Sequence, residues 1–235
     1  MRPASATLRT LPLLCLGLAG CSGLFQSKEK PEQTYYLRAP AARTPQAGAP
    51  AATATPAIPA SVRVIHPAAS PGLDTSRIML VQADHRMDFF SGSRWPAPAP
   101  ELIEALAVQT LRASGAWASV GSSGSPFPPD YLLQIHLQRF EADYGEGAGA
   151  PVVHVVLECV VGRREGREVL ATFTAAGSAA AAANRLGEVV MAFEQASGVA
   201  LAALSQQTEQ AVRADVQRGA QNPDKPLASS SWQSR

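Results

Sequence analysis

The chain has 235 residues, of which 46% are hydrophobic and 17% are charged, and its formal net charge at pH 7 is +1. A nearly neutral chain has no general electrostatic reason to bind nucleic acid or an anionic membrane surface. Only 6% of the residues are aromatic, which argues against a stacking platform for single-stranded nucleic acid and favours a modest aliphatic core.

The N-terminus has the organisation of a secretory signal peptide over residues 1–20. Arg2 and Arg9 precede the apolar run Leu11–Leu18, which is too short to span a bilayer. Small residues then lead to Cys21, so we expect cleavage between Gly20 and Cys21. This pattern resembles the lipobox of bacterial lipoproteins, in which the cysteine carries diacylglycerol and an N-acyl chain. The alternative is an ordinary signal peptide that is cut elsewhere.

Lipidation at Cys21 would give a stable membrane anchor, because a single acyl chain binds a bilayer only marginally whereas several chains bind it firmly. The thiolate is also a suitable nucleophile for the lipid transfer. Cys15 would leave with the signal peptide, so Cys159 would remain without an intrachain partner. We therefore expect no disulfide, and no cofactor apart from the acyl chains.

The first half of the mature chain is predicted to alternate strands and turns. Residues 21–32 are polar and indicate a tether, and residues 33–215 indicate one domain. Residues 39–60 are rich in Ala and Pro and predict a long loop within it. The predicted strands are 34–38, 61–66, 78–81 and 86–90, with turns at 71–76 and 83–85 and a helix from Pro100 that stops near Gly115.

The second half predicts an antiparallel meander followed by a long helix. Residues 119–130 are rich in Ser, Gly and Pro and predict a loop. The strands of the meander are 131–138, 152–161 and 168–175; a change of parity at Phe140 indicates a bulge, and the apolar second strand predicts burial on both faces. A helix is expected over 184–214 and a disordered tail over 216–235. The fold class is α+β: a two-layer domain with a mixed sheet and two helices.

Catalytic constellations are not evident. The sequence contains no nucleophile elbow, phosphate-binding loop or paired-cysteine motif. His136 and His154 fall on adjacent predicted strands, where they are either a metal or acid–base pair or, as we favour, side chains on a half-exposed sheet. Cys159 falls inside an apolar strand, which favours a small core residue over a reactive thiol.

Two features are candidates for binding. Arg163, Arg164 and Arg167 form a basic cluster, which either binds an anionic headgroup or, as we favour, is the solvated tip of a hairpin. Trp95 lies among prolines, where a partner-binding hot spot and a plug for one end of the core are equally supported.

The order of these features resembles the ABC-type transport auxiliary lipoprotein family over about residues 33–212. It is carried by the lipobox and by the following segments: Tyr35–Leu37, the Ala/Pro loop, Val62–Ile65, Gly72–Asp74, 77–81, Arg86–Phe90, Trp95 and the helix from Pro100.

The resemblance implies an outer-membrane lipoprotein that faces the periplasm. It would work with an ABC permease, an ATPase and a substrate-binding protein carrying a mammalian-cell-entry domain, which together move lipid between membranes. Ser22 agrees with the outer membrane, since Asp at this position would be the inner-membrane retention signal. The implied role is anchoring and docking without catalysis, with several copies assembled into a ring as a further possibility.

Other functions remain open. One is a lipid carrier that binds an acyl chain between sheet and helices, and another is a regulatory or assembly lipoprotein for cell-wall synthesis or secretion. An envelope hydrolase would require a nucleophile and a base that the sequence does not reveal.

Overall fold

The computed structural model describes residues 32–39, 58–145 and 149–221. The elements in this part of the chain are β1 (Gln33–Thr34), β2 (Ile58–Val64), β3 (Ala68–Ala69), β4 (Arg77–Val81), β5 (Met87–Arg94), α1 (Ala99–Ala113), β6 (Trp117–Gly121), β7 (Tyr131–Asp143), β8 (Val152–Arg163), a 3₁₀ turn (Glu165–Arg167), β9 (Val169–Ala180) and α2 (Leu186–Gln221).

Strand β7 is the centre of one mixed sheet. One side of β7 pairs with β8, and β8 pairs with β9, both antiparallel. The other side pairs in parallel with β2 near the start of β7 and with β4 near its end. Beyond these, β2 pairs with β6, and β4 pairs with β5, which pairs with β1. Both helices contact the sheet and each other. The predicted α+β class, its single domain and its meander are thus confirmed.

The meander shows the predicted bulge, because the register of β7 against β8 shifts between Leu137 and Arg139. The predicted burial of β8 on both faces is wrong. Its residues alternate: Val153 and Val155 are buried, whereas Val156 is partly exposed. Apolar residues on the outer face are tolerated there because β-branched side chains suit a half-buried sheet surface.

The N-terminal part of the domain departs from the prediction in two places. The strand expected over 34–38 is only Gln33–Thr34, because Leu37 leaves the sheet and is buried in the core. The loop expected over 39–60 ends early, because Ile58 pairs with Trp117 and begins β2. Pro59 fits in this strand because the register shifts between Ile58 and Ser61, where the ladder is already irregular.

Three further boundaries differ. Residues 119–121, expected in a loop, belong to β6, because pairing of Val120 with Val62 outweighs the Ser and Gly content. Strand β9 continues to Ala180, and α2 continues to Gln221, so the disordered tail predicted from 216 is wrong for residues 216–221. The remainder of that predicted tail lies outside the described residues.

The core lies between the sheet and the two helices. Its aromatic centre joins Trp95, Phe140 and Phe193, whose ring centroids are 4.9 to 5.9 Å apart. Gly177 allows α2 to approach β9 closely, because a Cβ there would lie 2.9 Å from the backbone nitrogen of Ala200 and would overlap the carbonyl oxygen of Ala196. Helix α2 is long and apolar enough to cross a membrane by length and composition, but its apolar side packs on the sheet as a core helix.

Candidate docking surface

The predicted lipid-attachment and cleavage residues, Cys21 and Gly20, lie outside the described residues, so both stay predictions. The chain enters the sheet at β1, whose direction can be traced through its neighbours. Strand β1 is parallel to β5, β5 is antiparallel to β4, and β4 is parallel to β7. Therefore β1 runs opposite to β7, and the chain enters from the end of the sheet at which β7 finishes.

Trp95 is not a surface residue. Its side chain is 0% exposed and packs between Phe140 and Phe193. Of the two interpretations, the structure therefore supports the core plug, and partner binding through Trp95 is wrong. Proline residues around a tryptophan do not distinguish a core residue from a partner-binding residue, because a rigid loop can either cover a core or expose a side chain to solvent.

His136 and His154 do not form the pair that the sequence allowed, and the thiol of Cys159 is buried. His136 is opposite Glu158 in the β7–β8 register, and His154 is opposite Glu141, so the two rings do not face one another. His136 instead lies 3.2 Å from the hydroxyl of Ser70. Burial, with a smaller contribution from Glu158, raises the pKa of Cys159 to about 12, which keeps this thiol protonated.

One dyad lies beside a cavity of about 520 Å³ next to α1. Nδ1 of His66 is 3.1 Å from the buried carboxylate of Glu104, which also accepts a hydrogen bond of 2.7 Å from the backbone N–H of Ser123. Burial would raise the pKa of Glu104, but these hydrogen bonds lower it overall. The dyad ties the segment that follows β2 to α1 and to the β6–β7 loop.

Two of the three arginines in the basic cluster at the hairpin tip, Arg163 and Arg164, bind other groups within the domain. Arg163 binds the carboxylate of Asp215 at 2.6 Å. The guanidinium of Arg164 donates to the carbonyl of Pro129 at 2.8 Å, and its backbone N–H donates to the carbonyl of Asp130 at 2.9 Å. These contacts favour the structural interpretation of the hairpin over a headgroup site.

The contacts of Arg164 hold a loop that sequence reasoning treated only as a connection. Phe127 in this β6–β7 loop is 77% exposed and is flanked by Pro126 and Pro128, which restrict the backbone on both sides. Its carbonyl accepts a hydrogen bond from Arg63 of β2. A large aromatic side chain is thus presented to solvent on a loop that is fixed from two other elements.

Asp130 closes the same loop. Its carboxylate accepts hydrogen bonds from the backbone N–H and the hydroxyl of Ser61 at 2.8 and 2.7 Å, and its own N–H donates to that hydroxyl at 2.9 Å. The backbone hydrogen bond from Ser61 is the main reason why the pKa of Asp130 is lowered. Rigid, exposed aromatic residues are typical anchors of protein interfaces, because little side-chain entropy is lost on binding. The Phe127 loop is therefore the candidate docking surface.

The sequence does contain a signal for this loop. The run Pro126–Pro129 surrounds Phe127 with prolines, the same pattern that drew attention to Trp95. Exposure distinguishes the two: Phe127 is exposed to solvent, whereas Trp95 directly follows β5 and is buried in the core.

The fold and this loop define a two-layer α+β domain in which β1 enters from one end of the sheet and a fixed aromatic residue is presented near the other. The chain belongs to the family of ABC-type transport auxiliary lipoprotein components, whose family model matches residues 43–207. This match confirms the resemblance, and membership implies an auxiliary role in ABC-type transport at the cell envelope.

Solved structures support the fold alone. A protein from Xanthomonas campestris, of family DUF330, is 23% identical with a TM-score of 0.69, over 79% of this chain and 99% of its own. A second, uncharacterised protein is 13% identical with a TM-score of 0.55, over 74% and 99%. The PelC dodecamer protein of Paraburkholderia phytofirmans is 19% identical with a TM-score of 0.39, over 63% of this chain and 87% of its own. No curated protein matches the chain.

Proposed function

We propose that this protein is a lipid-anchored docking subunit of an ABC-type system that moves lipid between the two membranes. Family membership supports the transport role. The observation that carries the docking role is the exposed Phe127 on a loop held by Arg63 and Arg164. Its proposed partner is the periplasmic substrate-binding protein with a mammalian-cell-entry domain.

The proposed anchor is the acylated Cys21, in the outer membrane with the domain facing the periplasm. The topology suits such a bridge, because the chain enters from the end of the sheet where β7 finishes, whereas Phe127 immediately precedes the start of β7. A membrane attachment before β1 and a partner at Phe127 would therefore engage opposite ends of the sheet.

We further propose that the protein has no catalytic activity of its own. A thiol with its pKa raised to about 12 is a poor nucleophile. The carboxylate of Glu104 beside His66 already accepts two hydrogen bonds within the fold. A role in binding and positioning a partner requires neither a reactive thiolate nor an unoccupied carboxylate, whereas an enzyme would need groups of this kind.

The lipid-carrier alternative requires space for an acyl chain between sheet and helices. That layer is filled by the cluster of Trp95, Phe140 and Phe193 and by the close approach of α2 at Gly177. A carrier would need these contacts to separate. The docking role does not.

The test is affinity purification of the tagged full-length protein from envelopes after mild cross-linking, with quantitative mass spectrometry of the proteins recovered. We expect Phe127→Ala to reduce recovery of the transporter subunits roughly tenfold or more, because truncation of an interface anchor costs about 2 kcal/mol. The matched control is Met191→Ala on α2, which removes a side chain of similar exposure, 67%, and is expected to leave recovery unchanged.

Equal recovery with both variants would contradict docking through Phe127. Recovery of cell-wall synthases or secretion proteins in place of transporter subunits would support the regulatory alternative instead. Both variants should keep the melting temperature of the wild-type protein, since neither side chain belongs to the core.

A further inference from the structure

The start of the Phe127 loop is held by a short chain of hydrogen bonds that begins at a histidine. Oε1 of Glu104 on α1 accepts a hydrogen bond of 2.7 Å from the backbone N–H of Ser123, the second residue after β6. Oε2 of the same carboxylate lies 3.1 Å from Nδ1 of His66, in the segment after β2. The imidazole therefore acts on the loop through one carboxylate that both contacts share.

The two side chains of this dyad differ in their access to solvent. The side chain of His66 is 56% exposed, whereas that of Glu104 is 10% exposed. A proton can thus reach the imidazole directly from water. The carboxylate is largely shielded, and electrostatic interactions are stronger in such a site than in bulk water. A change in the charge of His66 therefore acts on a group that solvent screens only weakly.

His66 is the member of this cluster that changes its charge near neutral pH. The charged side chains that line the cavity with it are all on α1: Glu101, Glu104 and Arg112. The loop contributes the uncharged Ser122 and Ser123. Histidine is the side chain that ordinarily titrates between about pH 5 and 8, and the lowered pKa of Glu104 keeps its carboxylate ionised there.

The contacts near the other end of the loop keep their charges in this range. Arg63 and Arg164 donate to carbonyls of the loop, and a guanidinium stays protonated. Asp130 has a lowered pKa, mainly because of the backbone hydrogen bond from Ser61, and stays ionised. Of these contacts, the one through Glu104 is therefore the one that responds to pH near neutrality.

We propose that protonation of His66 tightens the hold of Glu104 on the Phe127 loop, so that docking strengthens as the surroundings become mildly acidic. This inference rests on the docking role proposed for the loop. A protonated imidazole donates a charge-assisted hydrogen bond, which is about twice as strong as a bond between neutral groups, and so fixes the carboxylate for Ser123. Because His66 is half exposed, solvent screening limits the effect. Further acidification, through the lowered pKa of Glu104, would protonate the carboxylate and weaken both contacts.

The first experiment follows hydrogen exchange of the loop in the full-length protein at pH 5.5 and 7.5, about one unit on either side of the ordinary titration of an imidazole. After correction for the intrinsic effect of pH on exchange, we expect the amide of Ser123 to be about two- to fivefold better protected at pH 5.5. His66→Gln cannot gain a proton and should show equal protection at both pH values. The matched control is His154→Gln on β8, opposite Glu141, which should behave as the wild type does.

The second experiment repeats the affinity purification at both pH values. Recovery of the transporter subunits with the wild type is divided by recovery with His66→Gln at the same pH, which removes any effect of pH on the cross-linking itself. We expect this ratio to be about two- to fivefold higher at pH 5.5 than at pH 7.5. The ratio of wild type to His154→Gln should not change with pH.

The outcomes separate this inference from the docking role. If protection of Ser123 does not change with pH in the wild type, or changes equally in His66→Gln, the inference is overturned whether or not Phe127 docks. A recovery ratio that is equal at both pH values, while Phe127→Ala still lowers recovery, would overturn the regulation and leave the docking role standing. Full recovery with Phe127→Ala would overturn both. Circular dichroism checks that each variant melts as the wild type does.

Discussion

Asp215 joins three parts of the fold through one buried carboxylate. It is 3% exposed and accepts hydrogen bonds from Tyr131 of β7 at 2.9 Å and from Arg163 of β8 at 2.6 Å. Arg218, one turn further along α2, lies 3.3 Å away. Burial alone would raise the pKa of Asp215, but the hydrogen bonds from Arg163 and Tyr131 and the two positive charges lower it overall.

We expect Asp215→Asn to destabilise the protein by about 2–3 kcal/mol, because it removes a charge-assisted pair from a buried site and leaves Arg163 without its counter-charge. The measurement is the free energy of unfolding in urea. Glu165→Gln, an exposed substitution in the hairpin turn, is the control and should change stability little. If the free energy of unfolding falls by less than about 1 kcal/mol, the prediction is contradicted, because water would then solvate Arg163 as well as the carboxylate does.

The same carboxylate makes stability depend on pH. A lowered pKa in the folded state means that the stabilisation is present above the ordinary pKa of an aspartate, about 3.9, and is lost as the pH falls through the lower folded value. The Asp215→Asn variant should therefore lose less stability than the wild type on acidification in that window.

Between elements, the contact of β9 with α2 depends on the missing side chain of Gly177. We expect Gly177→Ala to destabilise the domain by about 3 kcal/mol, because the added Cβ meets helix backbone that has no room to move. The melting temperature should fall by about 6–12 °C for a domain of this size.

Gly149→Ala is the matched control, since a Cβ there meets none of the residues that the structure describes within 4 Å, and it should melt close to the wild type. Equal melting of the two variants would contradict the close packing of α2 on β9.

The elements that the sequence predicted correctly are those whose own pattern determines them. Strand β7 alternates apolar and polar residues from Leu133 to Gln138, β8 is a long apolar run, and the helix beginning near Pro100 has its apolar residues at helical spacing. Elements decided by a partner were missed: β6 contains Ser and Gly and is a strand because β2 lies beside it.

The candidate site was harder to predict for the same reason. Phe127 and Trp95 have nearly the same neighbours in sequence, and only the three-dimensional packing places one in solvent and the other in the core. The bonds from Arg63 and Arg164 that fix the Phe127 loop join residues far apart in the chain, so no local pattern contains them.

For the whole molecule, the family match shows an auxiliary component of ABC-type transport, and the role that we propose for it is to tie the transporter to a membrane. The lipid anchor would hold the chain before β1, and Phe127 would meet the partner at the opposite end of the sheet. In this proposal the protein acts by holding its partner in position relative to the membrane.

The most direct test is to separate inner and outer membranes from cells that produce the tagged protein, and to identify by mass spectrometry what purifies with it from each fraction. We expect the protein in the outer membrane together with the periplasmic subunit of an ABC-type transporter, and a Cys21→Ala form absent from that membrane. If the unsubstituted protein is found in the inner membrane, or in the outer membrane without any transporter subunit, the account is contradicted.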